Sequence, residues 1–243
     1  MCLGNLGETM KKIILLFLTA FFLFAYGEAF ACGEVEQEKI DELKQFVAKY
    51  LPSFEGWCSK EKAFNFIDLV METNPKTCVE IGVFGGSSLF PVASALKLLD
   101  QDGIVIGIDP WDKIECIKYF DPVKDEVDLK WWGNLNLDRI YYSYTNLIRR
   151  FNLQDYCLTI RATSENAVSE IDEIDILYID GNHSEEVTKL DVELYLPKVR
   201  SGGYIWMNDA QWESRQEGLD LLLEACDAAK LIENGNCILF KKR

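Results

Sequence analysis

Residues Val79–Ser88 read VEIGVFGGSS. With Thr77 and Cys78 before it, the run through Val83 has the near-continuous apolar character of a strand covered on both faces. Gly82, Gly85 and Gly86 then let the backbone turn sharply, and a helix is predicted from the end of this stretch to about Leu99. A strand delivered through glycines to the start of a helix sets free N–H groups where a ligand can meet them. The glycines are spaced G-x-x-G-G, unlike the G-x-G-x-x-G of a dinucleotide site. Glu80, just before the turn, suits a ligand with a cationic ammonium end better than a pyrophosphate. The other reading is a tight strand–helix turn with no ligand.

The same alternation continues outward in both directions. Two helices are predicted upstream, Glu34 to Tyr50 and Lys60 to Thr73, the second capped by Ser59. Downstream come a strand ending at Asp109, a strand in YCLTIRA (156–162), a short helix from Glu165 to Ile171, and a strand IDILYID ending at Asp180. A helix from Ser184 to Tyr195, a strand YIWMND (204–209) and a helix from Ser214 to Ala229 follow. Asn234-Gly235 marks a tight turn between two last strands. Residues 111–155 exceed an ordinary crossover and are helical from Leu137 to Phe151. The predicted fold is α/β: a doubly wound, mostly parallel seven-stranded sheet whose C-terminal antiparallel hairpin supplies an edge strand. Such sheets bind ligands beyond the carboxyl ends of their strands, where Gly82, Asp109, Asp180 and Asp209 all fall.

Residues 1–31 stand apart. Lys11 and Lys12 precede an apolar run from Ile13 to Tyr26, and Ala29 and Ala31 form an A-x-A pattern, so a secretory signal peptide is expected. Export to the periplasm or outside the cell follows from it, with lipidation at Cys32 as a less fitting variant and a cytoplasmic product if the true start lies downstream. Residues 32–243 are expected to be a single domain, with 111–155 an insertion or lid. The formal net charge is −15, and the signal carries two lysines and two acids (Glu8, Glu28), so the remainder keeps it. An acidic chain without a basic cluster is a poor partner for nucleic acid or an anionic membrane. Contact with membrane is expected only through the signal segment. None of the eight cysteines forms a C-x-x-C pair, which leaves a zinc site little support. Export permits disulfides, yet Cys78 and Cys157 fall in predicted buried strands, where free thiols behave as small apolar groups.

Four stretches, VEIGVFGGSS, GIDPW (107–111), YIDGNHS (178–184) and GGYIWMNDA (202–210), together resemble the class I S-adenosylmethionine-dependent methyltransferases. The resemblance is to the small-molecule O-methyltransferase branch related to catechol methyltransferases, and it covers roughly Gly56 to Arg243. It implies a Rossmann-like methyltransferase fold and S-adenosylmethionine as cofactor. Glu80 and Gly82, with Gly85 and Gly86 in the same turn, would line the methionine end, and Ser88 would hold its carboxylate. Asp109 would accept the ribose hydroxyls, and Thr163 and Ser164 lie on the adenine side. By the same resemblance Asp180, Asn208 and Asp209 would hold Mg²⁺, although Asn208-Asp209 reverses the usual acid–amide order. His183, the chain's one histidine, falls where relatives place the base that takes the acceptor's proton. An imidazole, with an ordinary pKa of about 6.5, suits that work at neutral pH. The bland readings are a turn histidine and strand ends capped by acids.

Trp111, Trp131, Trp132, Tyr141, Tyr142 and Tyr144 either form an apolar lid over an acceptor or pack the insertion's own helix, and Trp57 offers the same choice. The expected activity is methyl transfer to a hydroxyl of a small molecule, assisted by Mg²⁺. An exported, non-catalytic nucleoside- or small-molecule-binding protein on the same fold is the alternative, because an exported chain and a cytosolic methyl donor do not naturally meet. An oxidoreductase is disfavoured by the missing dinucleotide spacing. Oligomerisation is left open.

Overall fold

The computed structural model describes residues 37–243, so the expected signal peptide and Cys32 lie outside the described residues. Two helices, α1 (Gln37–Tyr50) and α2 (Lys60–Thr73), precede the sheet. The expected cap is in place: Ser59 Oγ accepts from the Lys62 amide at 3.1 Å. Helix α2 ends at Asn74, which takes a left-handed φ of 45°.

Strand β1 (Thr77–Ile81) feeds α3 (Leu89–Leu99) and then β2 (Ile104–Ile108). Helices α4 (Lys113–Cys116), α5 (Glu126–Asn134) and α6 (Leu137–Arg150) fill the long crossover to β3 (Cys157–Ile160). After α7 (Ser164–Ala167) come β4 (Ile174–Ile179), α8 (Glu185–Tyr195), β5 (Val199–Met207) and α9 (Gln216–Ala225), then the hairpin β6 (Cys226–Ile232) and β7 (Cys237–Lys242). One seven-stranded sheet results, in the order β3-β2-β1-β4-β5-β7-β6. The first five strands are parallel, and β7 runs antiparallel to both β5 and β6. The chain winds outward in opposite directions from β1 and β4, which leaves a crevice beyond their carboxyl ends.

Alternation along the strands divides the core. Cys78, Tyr178 and Trp206 face α1–α3 and α6, whereas Val79, Leu177, Ile179 and Ile205 face α8 and α9. Phe66 of α2 and Trp206 of β5 meet at 4.2 Å between ring centroids and are both buried. The cysteines among the described residues are free thiols, and Cys78 and Cys157 are buried. No helix among these residues is long and apolar enough to cross a membrane.

Two boundaries differ from the sequence expectation. Strand β5 begins at Val199, not Tyr204, because the chain stays paired to β4 through a register irregularity between Val199 and Tyr204. Helix α9 stops at Ala225, not Ala229. Residues 226–229 join β6, where Cys226 is buried and pairs with Lys242, so sheet pairing overrides the local helix preference of Ala228 and Ala229. The hairpin supplies an edge strand as expected: apolar β7 inserts between β5 and β6, and the more polar β6 takes the exposed edge.

Gly82 has φ +90°, and a β-carbon there would come within 2.1 Å of the Asp180 carbonyl oxygen. Its amide donates to Ile108 O at 2.9 Å, while the Asp180 amide donates to Ile81 O at 2.9 Å. Only glycine lets β1 leave the sheet at this height. Gly82→Ala is therefore expected to destabilise the fold by roughly 2–4 kcal/mol through strain and backbone clash. Urea unfolding checks this, and a variant as stable as the parent would refute it.

Beneath the sheet's carboxyl edge lies a buried polar network. Asp191 of α8 is fully buried and accepts from Ser164 Oγ. Arg215, also fully buried, donates to Thr188 Oγ1 and to Asn182 O, and the Tyr195 hydroxyl donates to Ser164 O at 2.8 Å. Burial pushes the Asp191 carboxyl up to about 7, opposed by the Ser164 hydrogen bond and the Arg215 charge. Between about pH 4 and 7 the folded chain then keeps a proton that the unfolded chain has released, so stability falls as pH rises through that window. Asp191→Asn removes this dependence. The variant's stability relative to the parent should improve by on the order of 2–4 kcal/mol between pH 4.5 and pH 8. Parallel stability–pH curves for the two proteins would show that Asp191 titrates normally.

Candidate active site

A cleft of about 680 Å³ opens at the carboxyl ends of β1, β2, β4 and β5. Gly82, Ser88, Asp109, Asp180, Asn208 and Asp209 line it, as do Thr163, Ser164 and His183. The sequence-predicted residues thus converge, with three exceptions. Gly85 packs against the Glu55 backbone and Gly86 against the Tyr144 ring, so both serve the shape of the turn from behind. Glu80 lies in β1 below the cleft floor, 2% exposed.

Glu80 and Ser88 are nonetheless directly joined, the serine hydroxyl donating to Glu80 Oε1. Burial pushes Glu80 well above the usual carboxylate range; the Ser88 bond opposes this and the nearby Asp180 and Asp109 charges add to it. A cationic group entering above it would favour the ionised form. Asp109 accepts from the Phe84 amide at 2.9 Å and the Trp111 amide at 2.7 Å, one on each carboxylate oxygen. Desolvation raises its pKa while these backbone bonds lower it. Each oxygen keeps a second lone pair, so the side chain can still accept from a diol. Thr163 caps α7 through the Asn166 amide at 3.3 Å, and Ser164 is tied to Asp191.

The other half of the cleft is a charge cluster built on the ends of β4 and β5. Asp180 accepts from the Tyr178 hydroxyl at 2.8 Å on one oxygen and from Asn208 Nδ2 at 2.8 Å on the other. The same Nδ2 lies 2.9 Å from Asp209 Oδ2, and Asn236 Nδ2 donates to Asp209 Oδ1 at 3.1 Å. His183 Nε2 stands 3.8 Å from Asp180 Oδ1 and 3.7 Å from Asp209 Oδ2, and the Trp212 ring meets the imidazole edge-on at 4.7 Å.

Asp180, His183 and Asp209 can each present a ligand atom within 4.8 Å of the others, a spacing that fits one divalent cation. Two carboxylates also suit a hard ion that keeps several waters, such as Mg²⁺. Asn208, expected as a third oxygen ligand, turns its NH₂ toward both carboxylates and its oxygen toward Lys62 and Cys237. In this arrangement it orients the acids.

Two cations missing from the sequence reading complete the cluster. Lys62 reaches in from α2, 5% exposed, with Nζ 2.9 Å from Asn208 Oδ1 and 3.4 Å from Glu233 Oε2. Burial lowers its pKa, but Cys237 and the carboxylates of Asp180, Glu233 and Asp209 more than compensate, and the ammonium is held above its ordinary value. Arg215 sits below, its pKa lowered by burial against the pull of Asp180, Asp209 and Asp191. Neither belongs to a short motif. Lys62 falls in the charged first turn Lys60-Glu61-Lys62, where a lysine reads as a solvated surface residue.

The insertion's aromatic residues divide between the cleft wall and the core. Trp131 and Trp132 of α5 line the cleft with Trp57 and Phe84, Trp57 lying stacked on Phe84 at 5.2 Å. Trp111 and Tyr144 are buried, stacked at 5.7 Å, and the Trp111 indole donates to Phe84 O at 2.8 Å.

Known proteins share this fold. The family described as "Methyltransferase domain" matches residues 79–210. An uncharacterized protein of Acanthamoeba polyphaga mimivirus is 34% identical over 140 residues, a match spanning 58% of this chain and 54% of that relative. Among solved structures, the O-methyltransferase NovP superposes with a TM-score of 0.68 at 16% identity, covering 85% of this chain and 98% of its own. The SAH-bound methyltransferase PaMTH1 of Podospora anserina gives 0.56 at 11% identity, over 90% of this chain and all of its own. At such identities the likeness to solved structures is one of fold. The match across more than half of the sequence, from the β1 turn through the end of β5, carries the assignment: the chain belongs to the methyltransferase-domain family and has the fold of the class I S-adenosylmethionine-dependent methyltransferases.

Proposed function

We propose that this protein is an O-methyltransferase that moves a methyl group from S-adenosylmethionine to a hydroxyl of a small molecule. The observation that carries the reading is the position of His183, between two carboxylates and in the same cleft as the Gly82 turn and Asp109. A base, an acid pair and a nucleoside-shaped half-site in one cavity are what hydroxyl methylation needs.

The two halves divide the work. Asp109 would accept the ribose hydroxyls, Ser88 and Glu80 would meet the amino-acid end, and Thr163 and Ser164 would border the adenine. Gly82 keeps the backbone low enough for the cofactor to lie across the strand ends. S-adenosylmethionine supplies an activated methyl group when bound, so positioning of the acceptor contributes much of the acceleration. His183 takes the acceptor's proton at Nε2, and Asp180 and Asp209 stabilise the imidazolium that forms. Mg²⁺ held by Asp180 and Asp209 would lower the pKa of the acceptor hydroxyl. Trp57, Phe84, Trp131 and Trp132 would give an acceptor an aromatic wall on the other side of the cleft. The net charge of −15 favours a neutral or cationic small acceptor over nucleic acid.

Titration with S-adenosylhomocysteine tests the cofactor half, and no measurable affinity would sink the reading. Transfer of labelled methyl to phenolic and sugar hydroxyls, with and without Mg²⁺, tests the rest. His183→Ala is expected to lower the rate by about 10²–10⁴ while S-adenosylhomocysteine affinity stays within about threefold. Cofactor binding without transfer to any acceptor would favour the non-catalytic binding protein.

A further inference from the structure

We propose that Lys62 is a positioning residue for the acid cluster: it fixes the amide of Asn208 so that one NH₂ group holds both Asp180 and Asp209, and its charge restrains cation binding there. The inference depends on the methylation reading only for its expected effect on turnover.

Lys62 approaches from α2, 146 positions away from Asn208 in sequence. A lysine this buried needs compensation for lost hydration. Its compensation is specific: Asn208 Oδ1 at 2.9 Å and Glu233 Oε2 at 3.4 Å. An ammonium has donors only, so the oxygen end of the amide must face it. Cys237 Sγ approaches the same oxygen at 3.0 Å. The NH₂ end is thereby aimed at the two acids, 2.8 Å from Asp180 Oδ1 and 2.9 Å from Asp209 Oδ2. The reversed amide would press its NH₂ on the ammonium and its oxygen on two carboxylates, three unfavourable contacts in place of three favourable ones. Lys62 therefore selects which oxygen of each carboxylate the amide engages, the other being held by Tyr178 in Asp180 and by Asn236 in Asp209. It also keeps the Asn208 oxygen out of any ligand set and leaves a fixed positive charge behind the acids.

The test follows Mn²⁺ binding by the EPR signal of the free ion, in the full chain and in Lys62→Met. Methionine fills similar space without charge or donor. Asn208 can then offer its oxygen to the ion, and the repulsive charge is gone. Mn²⁺ is expected to bind on the order of tenfold or more tightly in the variant. Methyl transfer should show a lower kcat with little change in KM for the donor. A purely structural lysine gives the opposite sign, because a loosened cluster binds Mn²⁺ more weakly or no better. That result, or no Mn²⁺ binding by either protein, overturns the proposal.

S-adenosylhomocysteine titration of the same samples separates the two ideas. Retained affinity without Mn²⁺ tightening removes the role of Lys62 and leaves the methylation reading standing. No affinity in the parent removes the methylation reading, while the Mn²⁺ comparison still decides on Lys62. Should Lys62→Met fail to fold, Lys62→Gln replaces it, with tightening still expected from the lost charge. Failure of both to fold assigns Lys62 to the fold itself and overturns the proposal.

Discussion

The α-carbon of Gly82 and the carbonyl of Asp180 occupy space that no side chain could share, and the rest of the molecule is arranged around that contact. Strands β1, β2 and β4 end at one height because Gly82 bonds back to Ile108 while Asp180 bonds back to Ile81. Three consequences follow from that common edge. The glycine turn opens over the strand ends, Asp109 comes beside it, and Asp180 faces the same cleft from the other side. Parallel pairing supplies the heights, and the missing β-carbon supplies the room.

Charge placement on that edge is equally constrained. Asp180, Asp209 and Glu233 meet Lys62 and Arg215 in partly or fully buried surroundings. Such groups are tolerated only when their hydrogen-bonding capacity is used, because desolvation otherwise exceeds the Coulombic gain. Here an amide links the acids to a cation, a tyrosine hydroxyl serves Asp180, and Asn236 serves Asp209. Two groups are left incompletely tied: Arg215 keeps Nε and Nη2 without partners, and His183 stands more than 3.5 Å from each carboxylate with an indole edge against its ring. Of the two, the imidazole is the one whose ordinary pKa equips it to exchange a proton at neutral pH.

Much of this was legible in the residues. Apolar strands, glycine turns and helix caps are local signals, and Ser59, the β1 turn and the strand-end acids were found through them. Local signals also misled. The fifth strand reads as beginning only at Tyr204, yet residues 199–203 lie within β5, and Ala228–Ala229 read as helix although β7 recruits them into a strand. These errors share a cause: pairing between distant segments outweighed propensity over a few residues. The cations of the site were invisible for a related reason. Lys62 and Arg215 acquire their meaning from partners that only the folded sheet brings near. Asn208 was placed correctly, but the direction of its amide depends on Lys62 and could not be read from the pair Asn208-Asp209.

The cysteines of the described residues are free thiols set into the packing. Burial raises the pKa of Cys58, Cys78, Cys116, Cys157, Cys226 and Cys237, so little reactive thiolate forms at neutral pH. Among the described residues the fold is held by packing and charge, and these buried sulfurs serve it as apolar volume.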